Sequence, residues 1–274
     1  MRLLAFFTLT VCLGFSCFSE SQEKPLIEEK NTIKAAAVQA PKKNQHKKQS
    51  KSLLVGVEVR NYVYSEPGFV SHVGQFFGIW GEWHWSSFVG DGKVYGNFLY
   101  GLLTYDGALC DISNNCTPYS SKTTDYIAKI NSRLELKLGQ SFYLIAGLGY
   151  RYLYDRGEGV GFYTRRGNWI YLPLGAGFKS GKFLFDLEYD LIVNGNFKSN
   201  LSEVSSTFTD LTHTQKGYGL LLTIGYLLKE NWNVHGIYES WNLEESDLAA
   251  SGGAFFVEPK NKSEVFGLKV GYFF

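Results

Sequence analysis

The chain has 274 residues, of which 16% are aromatic and only 19% charged, with a formal net charge of +1. Its 30 Gly residues make about 11% of the chain against a usual ~7%, and the mean hydropathy is −0.13. This composition excludes a disordered chain, which is poor in aromatics, and a helical membrane protein, which carries long apolar runs. It also argues against a helical bundle, which uses far less Gly and Tyr and more Ala, Leu, Glu and Lys.

The first element, residues 1–21, reads as a secretory signal. Arg2 supplies the positive start, Leu3–Phe18 the apolar core, and Ser19 or Ser21 a small residue at the cleavage site. The apolar run is short for a membrane span. Lipid attachment at Cys17 is the alternative fate, but Leu13 stands one position too far upstream for a good lipidation signal. Residues 22–52 form a separate, aromatic-poor tail. Over 20–52 there are eight Lys and four Glu, a net of +4, whereas from Leu53 onward 18 basic and 22 acidic residues give −4. A solvated, disordered periplasmic tail is expected. Contact with the acidic peptidoglycan or with anionic headgroups is the sharper reading.

From Leu53 the pattern has period two. Tyr126, Ala128, Ile130, Leu134, Leu136 and Leu138 fall on one face, and Lys129, Asn131, Arg133, Glu135 and Lys137 on the other. No helix segregates residues in this way. Phe183–Val193 and Phe266–Phe274 repeat it. Ten strands are predicted, over 53–64, 75–88, 94–105, 126–138, 142–155, 168–178, 183–194, 217–228, 232–242 and 264–274. With ~3.3 Å rise and ~40° tilt, each crosses an apolar band of about 25–30 Å. The second, third and ninth alternate poorly, so their faces stay open. Pro173 lies inside the sixth, where a bulge or broken pairing is expected.

The connections alternate long and short. Gly90-Asp91-Gly92, Gly139-Gln140, Ser180-Gly181 and Lys229-Glu230-Asn231 mark the short ones, rich in turn residues. The long ones are 65–74, 106–125, 156–167, 195–216 and 243–263. An even strand number and this asymmetry predict an all-β, antiparallel, up-and-down transmembrane β-barrel over 53–274, with both termini periplasmic and the long loops outside. A soluble barrel would point its apolar residues inward instead. Cys110 and Cys116 bracket a polar pentapeptide in one long loop, and an exported chain with two remaining cysteines predicts one local disulfide there.

The last strand carries a family resemblance. Phe266, Leu268, Val270, Tyr272 and the terminal Phe274 resemble the closing strand of the outer-membrane β-barrel proteins of Gram-negative bacteria. The resemblance covers 53–274 and is silent on the individual member. It implies that these five residues form the signal read by the barrel assembly machinery. It also implies a home in the outer membrane, against its lipid and lipopolysaccharide.

Among the positions assigned inward are Glu58, Arg60, Lys129, Arg133, Glu135, Lys137, Arg151, Asp186, Glu188 and Asp190. Glu82, His84, His235, Glu239 and Lys269 are placed with them. Charges in a narrow lumen must be paired or solvated, so a salt-bridge network is expected, with a narrow conducting pore for small solutes as the alternative. Ten strands are far short of an open porin.

No catalytic or metal-ligating constellation is expected, and no cofactor or nucleic acid. The nearest enzyme reading is a rim hydrolase similar to the omptin proteases, using Asp210 and His213 with Asp106 and Asp111, but the spacing is loose and no Asp pair faces the His. A lipid acyltransferase or deacylase using His84 with Ser86 and Ser87 would sit on the wrong side of the membrane. The five His show no His-x-x-x-His ligand spacing. Arg165, Arg166, Lys260 and Lys262 could touch lipopolysaccharide phosphates. By elimination the expected function is non-enzymatic: structural or adhesin-like, through the loops 106–125, 195–216 and 243–263.

Two aromatic girdles complete the expectation. Trp83, Trp85, Phe142, Phe183, Phe185, Tyr226, Trp232, Tyr272 and Phe274 mark the periplasmic side. Tyr62, Tyr64, Tyr150, Tyr152, Tyr154, Tyr218 and Tyr238 mark the external side.

Overall fold

An extended chain with apolar residues on one face and charges on the other needs a different medium on each side. A sheet closed on itself supplies both and leaves no unpaired edge. The computed structural model describes residues 51–67, 70–86, 90–110, 116–159, 161–229 and 231–274. The expected signal segment and nearly all of the expected tail lie outside the described residues, Cys17 included.

Ten strands build the wall. They are β1 (Lys51–Glu66), β2 (Val70–Ser86), β3 (Gly90–Cys110), β4 (Cys116–Lys137), β5 (Phe142–Gly157), β6 (Thr164–Ser180), β7 (Phe183–Ser199), β9 (Gly217–Leu227), β10 (Trp232–Leu243) and β13 (Asn261–Phe273). The short β8 (Leu211–Thr214) precedes β9, and β11 (Ala249–Ser251) and β12 (Ala254–Phe256) precede β13. Every pairing is antiparallel between wall neighbours, and β1 pairs with β13 from Leu54↔Phe273 to Ser65↔Lys262, which closes the ring. Both described chain ends therefore lie at one end of the barrel, the terminal end. The other is called the distal end.

The strands are longer than expected at the distal end. The first connection, expected over 65–74, shrinks to residues 67–69, because β1 and β2 stay paired out to Glu66↔Val70. The β3–β4 ladder runs out to Cys110↔Cys116, deep into the expected loop 106–125. Once a strand leaves the apolar band both of its faces are wet, so the two-residue pattern fades while backbone pairing continues. The last connection carries its own hairpin, β11–β12, turned by Gly252 and Gly253 at φ +60° and +82°. A two-residue turn of this hand requires positive φ at both central positions, which glycine adopts without steric cost. β8 extends the β7 ladder beyond β9, with Leu191↔Tyr218 followed by Asn196↔Thr214.

The sixth strand breaks where proline predicts. Bridges between β5 and β6 skip from Ala146↔Leu174 to Gly149↔Tyr171, across from Leu172 and Pro173. Proline has no N–H to give to a ladder. On its other side the β6–β7 register shifts between Ile170 and Tyr171, leaving Val193 without a partner. Ile192 is buried inside while Val193 is 53% exposed on the outer face, so the bulge resets the alternation for the distal part of β7.

The faces left open are now fixed. Trp80 and Glu82 of β2, Lys93, Tyr95 and Asn97 of β3, and His235, Glu239 and Trp241 of β10 point inward and are buried. The outer face is an apolar belt in which Val57, Ile79, Phe98, Leu187 and Leu268 stand exposed. The terminal-end girdle includes Trp83, Phe142, Phe183, Trp232 and Phe274, and Tyr150 and Tyr218 stand at the distal side, all outward and exposed. Tyr62 and Tyr64 correct the expectation. They share the even-numbered face of β1 with Glu58 and Arg60, and they are buried in the lumen at 3% and 9% exposure.

Candidate functional site

The lumen is stacked in three tiers, and the order can be followed strand by strand toward the distal end. Charge comes first: Glu58 and Arg60 in β1, Lys93 in β3, Arg133 and Lys129 in β4, Asp186 to Asp190 in β7, Glu239 in β10 and Lys269 in β13. Large rings and aliphatics follow: Tyr62, Leu99 and Leu103, Ile127, Ile192 and Phe197, Trp241 and Leu243, and Val265, packed with Phe76, Leu153, Trp169 and Tyr171 into one cluster. Polar groups return at the distal mouth.

In the charged tier, seven carboxylates (Glu58, Glu82, Glu135, Asp186, Glu188, Asp190, Glu239) face six cations (Arg60, Lys93, Lys129, Arg133, Arg151, Lys269). Arg60 bridges Glu58 and Glu239, each at 2.8 Å. Lys129 lies 3.4 Å from both Asp190 and Glu239. Arg133 holds Asp186 at 2.9 Å and also grips Glu188. Lys93 lies 3.1 Å from Glu135, which accepts a 2.6 Å hydrogen bond from Lys179 at the rim. Two cations use rings instead of carboxylates. The Arg151 guanidinium lies between Trp169 and Trp241, 5.0 and 4.9 Å from their centroids, and Lys269 sits 4.4 and 4.2 Å from Trp80 and Tyr95. Such contacts suit cations held away from water. Space for these rings comes from inward glycines: a Cβ on Gly149 would enter the Tyr171 ring, and one on Gly56 would overlap Trp80.

Nine of the ten charged residues assigned to the lumen network lie there. Lys137 is the correction. Its position continues the inward alternation of β4 but lies past the end of the packed interior, where its side chain is half exposed and pairs with Asp91 at 3.0 Å. Lys93 takes its place in the charge balance. It went unrecognised because the third strand was expected to begin at 94, whereas β3 begins at Gly90 and includes it. His84 is also at the terminal rim, 2.9 Å from Glu82; Ser87 lies outside the described residues.

The residues of the expected rim hydrolase are not brought together. Asp210 is exposed and holds Ser202 and Lys198, with the Ser202 hydroxyl as the main cause of a carboxyl pKa below its usual range. His213 is buried, its Nδ1 3.1 Å from the Asp247 carbonyl oxygen. Asp111 lies outside the described residues. Arg166 projects outward over Tyr154, whereas Arg165 turns into the distal mouth.

That mouth holds a different group of side chains. Asp155 accepts from Arg165 Nε at 2.8 Å and Nη2 at 2.5 Å. Arg165 also reaches Glu66 at 3.4 Å, and Tyr64 donates to Glu66 at 2.6 Å. The His72 ring is set edge-on to Tyr64 and Tyr105 at 5.2 and 5.1 Å. One donor atom each from His72, Asp125 and Asp155 lie within 4.8 Å of one another. Above them is a chamber of about 260 Å³, lined by Glu66, Tyr105, Phe162, Tyr163, Arg165 and Glu258 among others. Burial pushes the Glu258 carboxyl above its usual range, against the pull of Arg165 and the Ser199 hydroxyl. Sequence reasoning missed this group because its members come from β2, β4 and β5 with no local spacing.

The sequence matches no protein-family model and no curated protein. Among solved structures it is similar to the outer membrane protease OmpT from Escherichia coli, at 13% identity over 83% of this chain and 97% of that one, with a TM-score of 0.47. The translocator domain of the autotransporter NalP from Neisseria meningitidis matches at 11% identity over 83% and 90% of the two chains, TM-score 0.45. The attachment invasion locus protein Ail of Yersinia pestis matches at 8% identity over 81% and 98%, TM-score 0.38. Identities this low transfer no residue roles. The architecture itself, ten antiparallel strands closed into a ring with an apolar outside and a charged inside, is that of a transmembrane β-barrel.

Proposed function

We propose that the protein is a closed, non-enzymatic surface component of the outer membrane, and that it works through its distal connections. The filled lumen carries this reading. Trp169, Trp241, Tyr171 and Phe76 are at most 2% exposed and span the interior as one layer. The cavity among the lumen charges is only about 30 Å³, room for little more than water, whereas solute sites run to ~300 Å³ and more. With the lumen occupied, the distal rim is where the molecule meets other molecules.

In this reading the termini are periplasmic. The turns at their end are tight, such as residues 138–141 and 181–182, as periplasmic turns are. The basic segment 22–52 then faces the cell wall, and the closing-strand residues Phe266, Leu268, Val270, Tyr272 and Phe274 serve the assembly machinery. The cysteines Cys110 and Cys116 form a disulfide that pins the tip of the β3–β4 ribbon. On the outer rim the last connection offers Leu248 and Phe255, 64% and 73% exposed, as an apolar contact surface.

The test is attachment. The protein is displayed on a non-adherent Gram-negative strain, and binding to host cells or matrix is compared with the double variant Leu248→Ser, Phe255→Ser. Attachment above the empty strain, reduced several-fold in the variant, is the expected result. No attachment by either, with correct surface exposure, contradicts the adhesive role.

A further inference from the structure

We propose that His72, Asp125 and Asp155 form a binding site for a divalent transition-metal ion of the zinc class at the distal mouth. The side chains approach from β2 and from the adjacent pair β4 and β5, across the width of β3, and bring one donor atom each within 4.8 Å of the others. The donor types match: imidazole suits zinc and its neighbours, and carboxylates complete such sites in many three-ligand centres.

An independent observation points into the same place. Asp125 is 2% exposed, yet its Oδ1 makes no hydrogen bond of good geometry, with the Thr123 hydroxyl, 1% exposed on the same face of β4, and the Asp155 carboxyl as polar neighbours. A buried carboxylate oxygen left unpaired is costly, and a cation between Asp125 and Asp155 would satisfy it.

The surroundings hold the ligands in place without occupying the site. Arg165 grips only Oδ2 of Asp155, which leaves Oδ1 free of it. His72 has its Nε2 toward Arg165 at 3.5 Å, too long for a good hydrogen bond. Guanidinium has no acceptor, so that nitrogen carries a lone pair rather than a proton, and only this long contact with Arg165 engages it. Charge agrees as well. Glu66, Asp125, Asp155 and Glu258 set four carboxyl groups around the single guanidinium of Arg165, a surplus of acid groups that a dication would offset. The chamber above gives access from the distal side, and three protein ligands leave a coordination position open toward it.

The experiment is calorimetric titration of the folded full-length protein in detergent with Zn²⁺ alone, on the parent chain and on the variants Asp125→Asn and His72→Gln. Folding of each is verified by its heat-dependent mobility shift. The expected result is one variant-sensitive site per chain, weakened at least about tenfold in each variant. Cobalt substitution should give absorption bands of a nitrogen–oxygen site that vanish in His72→Gln. Binding that is absent, or equal in the parent and both folded variants, overturns the proposal. If the variants do not fold, the cobalt spectrum of the parent decides: bands without an imidazole signature overturn it. Metal-independent peptide hydrolysis lost in Asp125→Asn would assign the cluster to water activation and would also overturn it.

Discussion

Arg60 shows what a lumen charge contributes. Its guanidinium is shared by Glu58 and Glu239, and all three are buried. Truncating one partner of a buried ion cluster leaves the others uncompensated, at a cost of about 3–5 kcal/mol. Arg60→Ala should therefore destabilise the barrel by that much in urea unfolding, read by loss of the folded electrophoretic species. Lys137→Ala should change stability by about 0.5 kcal/mol or less, since exposed pairs contribute little. Equal effects would contradict the placement of both residues. The pair also marks how far single residues could be read. Alternation along β4 put Arg133, Glu135 and Lys137 on one face, but alternation gives direction, not depth, and Lys137 lies beyond the packed interior. Tyr62 and Tyr64 show the converse: their ring chemistry suggested an interface, while their parity with Glu58 and Arg60 placed them inside. His72, Asp125 and Asp155 were unreadable as a group, because only the closure of the sheet brings them together.

At the scale of elements, three of the four terminal-end turns and the band-crossing part of most strands were legible, because lipid outside and charge inside impose period two; Gly90-Asp91-Gly92, expected as a turn, instead begins β3 and pairs on both sides. Pro173 announced its own defect, since a missing N–H must interrupt a ladder. The distal extensions were not legible, because water on both faces removes the pattern. The β3–β4 ribbon is the plainest case: a segment read as a loop is a ladder that sets Cys110 opposite Cys116. Directly opposed residues in an antiparallel pair have Cα atoms about 4.5–5.5 Å apart, within disulfide range. The proposed bridge predicts no thiol labelling in the native protein and two thiols after reduction. Closing so short a loop contributes about 2 kcal/mol in the chain-entropy account, and Cys116→Ser should cost about that. Two reactive thiols in the unreduced native protein would refute the bridge.

For the whole molecule, the composition that first set it apart has a physical use at every radius. Aromatic rings ring the outer belt at both ends, and others fill the lumen where the charges stop. Inward glycines make room for those rings. A wall of ten strands encloses a space that side chains can fill, and here charge pairs occupy the half nearer the termini and a ring layer the half nearer the distal mouth. In the proposed function such a barrel is a support for its distal rim, not a passage. Single-channel recording of the purified protein in a planar bilayer tests this most directly. The parent protein should give no steady unitary current, and currents should appear when Trp169 and Trp241 are both replaced by alanine. Stable unitary currents from the parent, altered by Glu188→Gln, would contradict it.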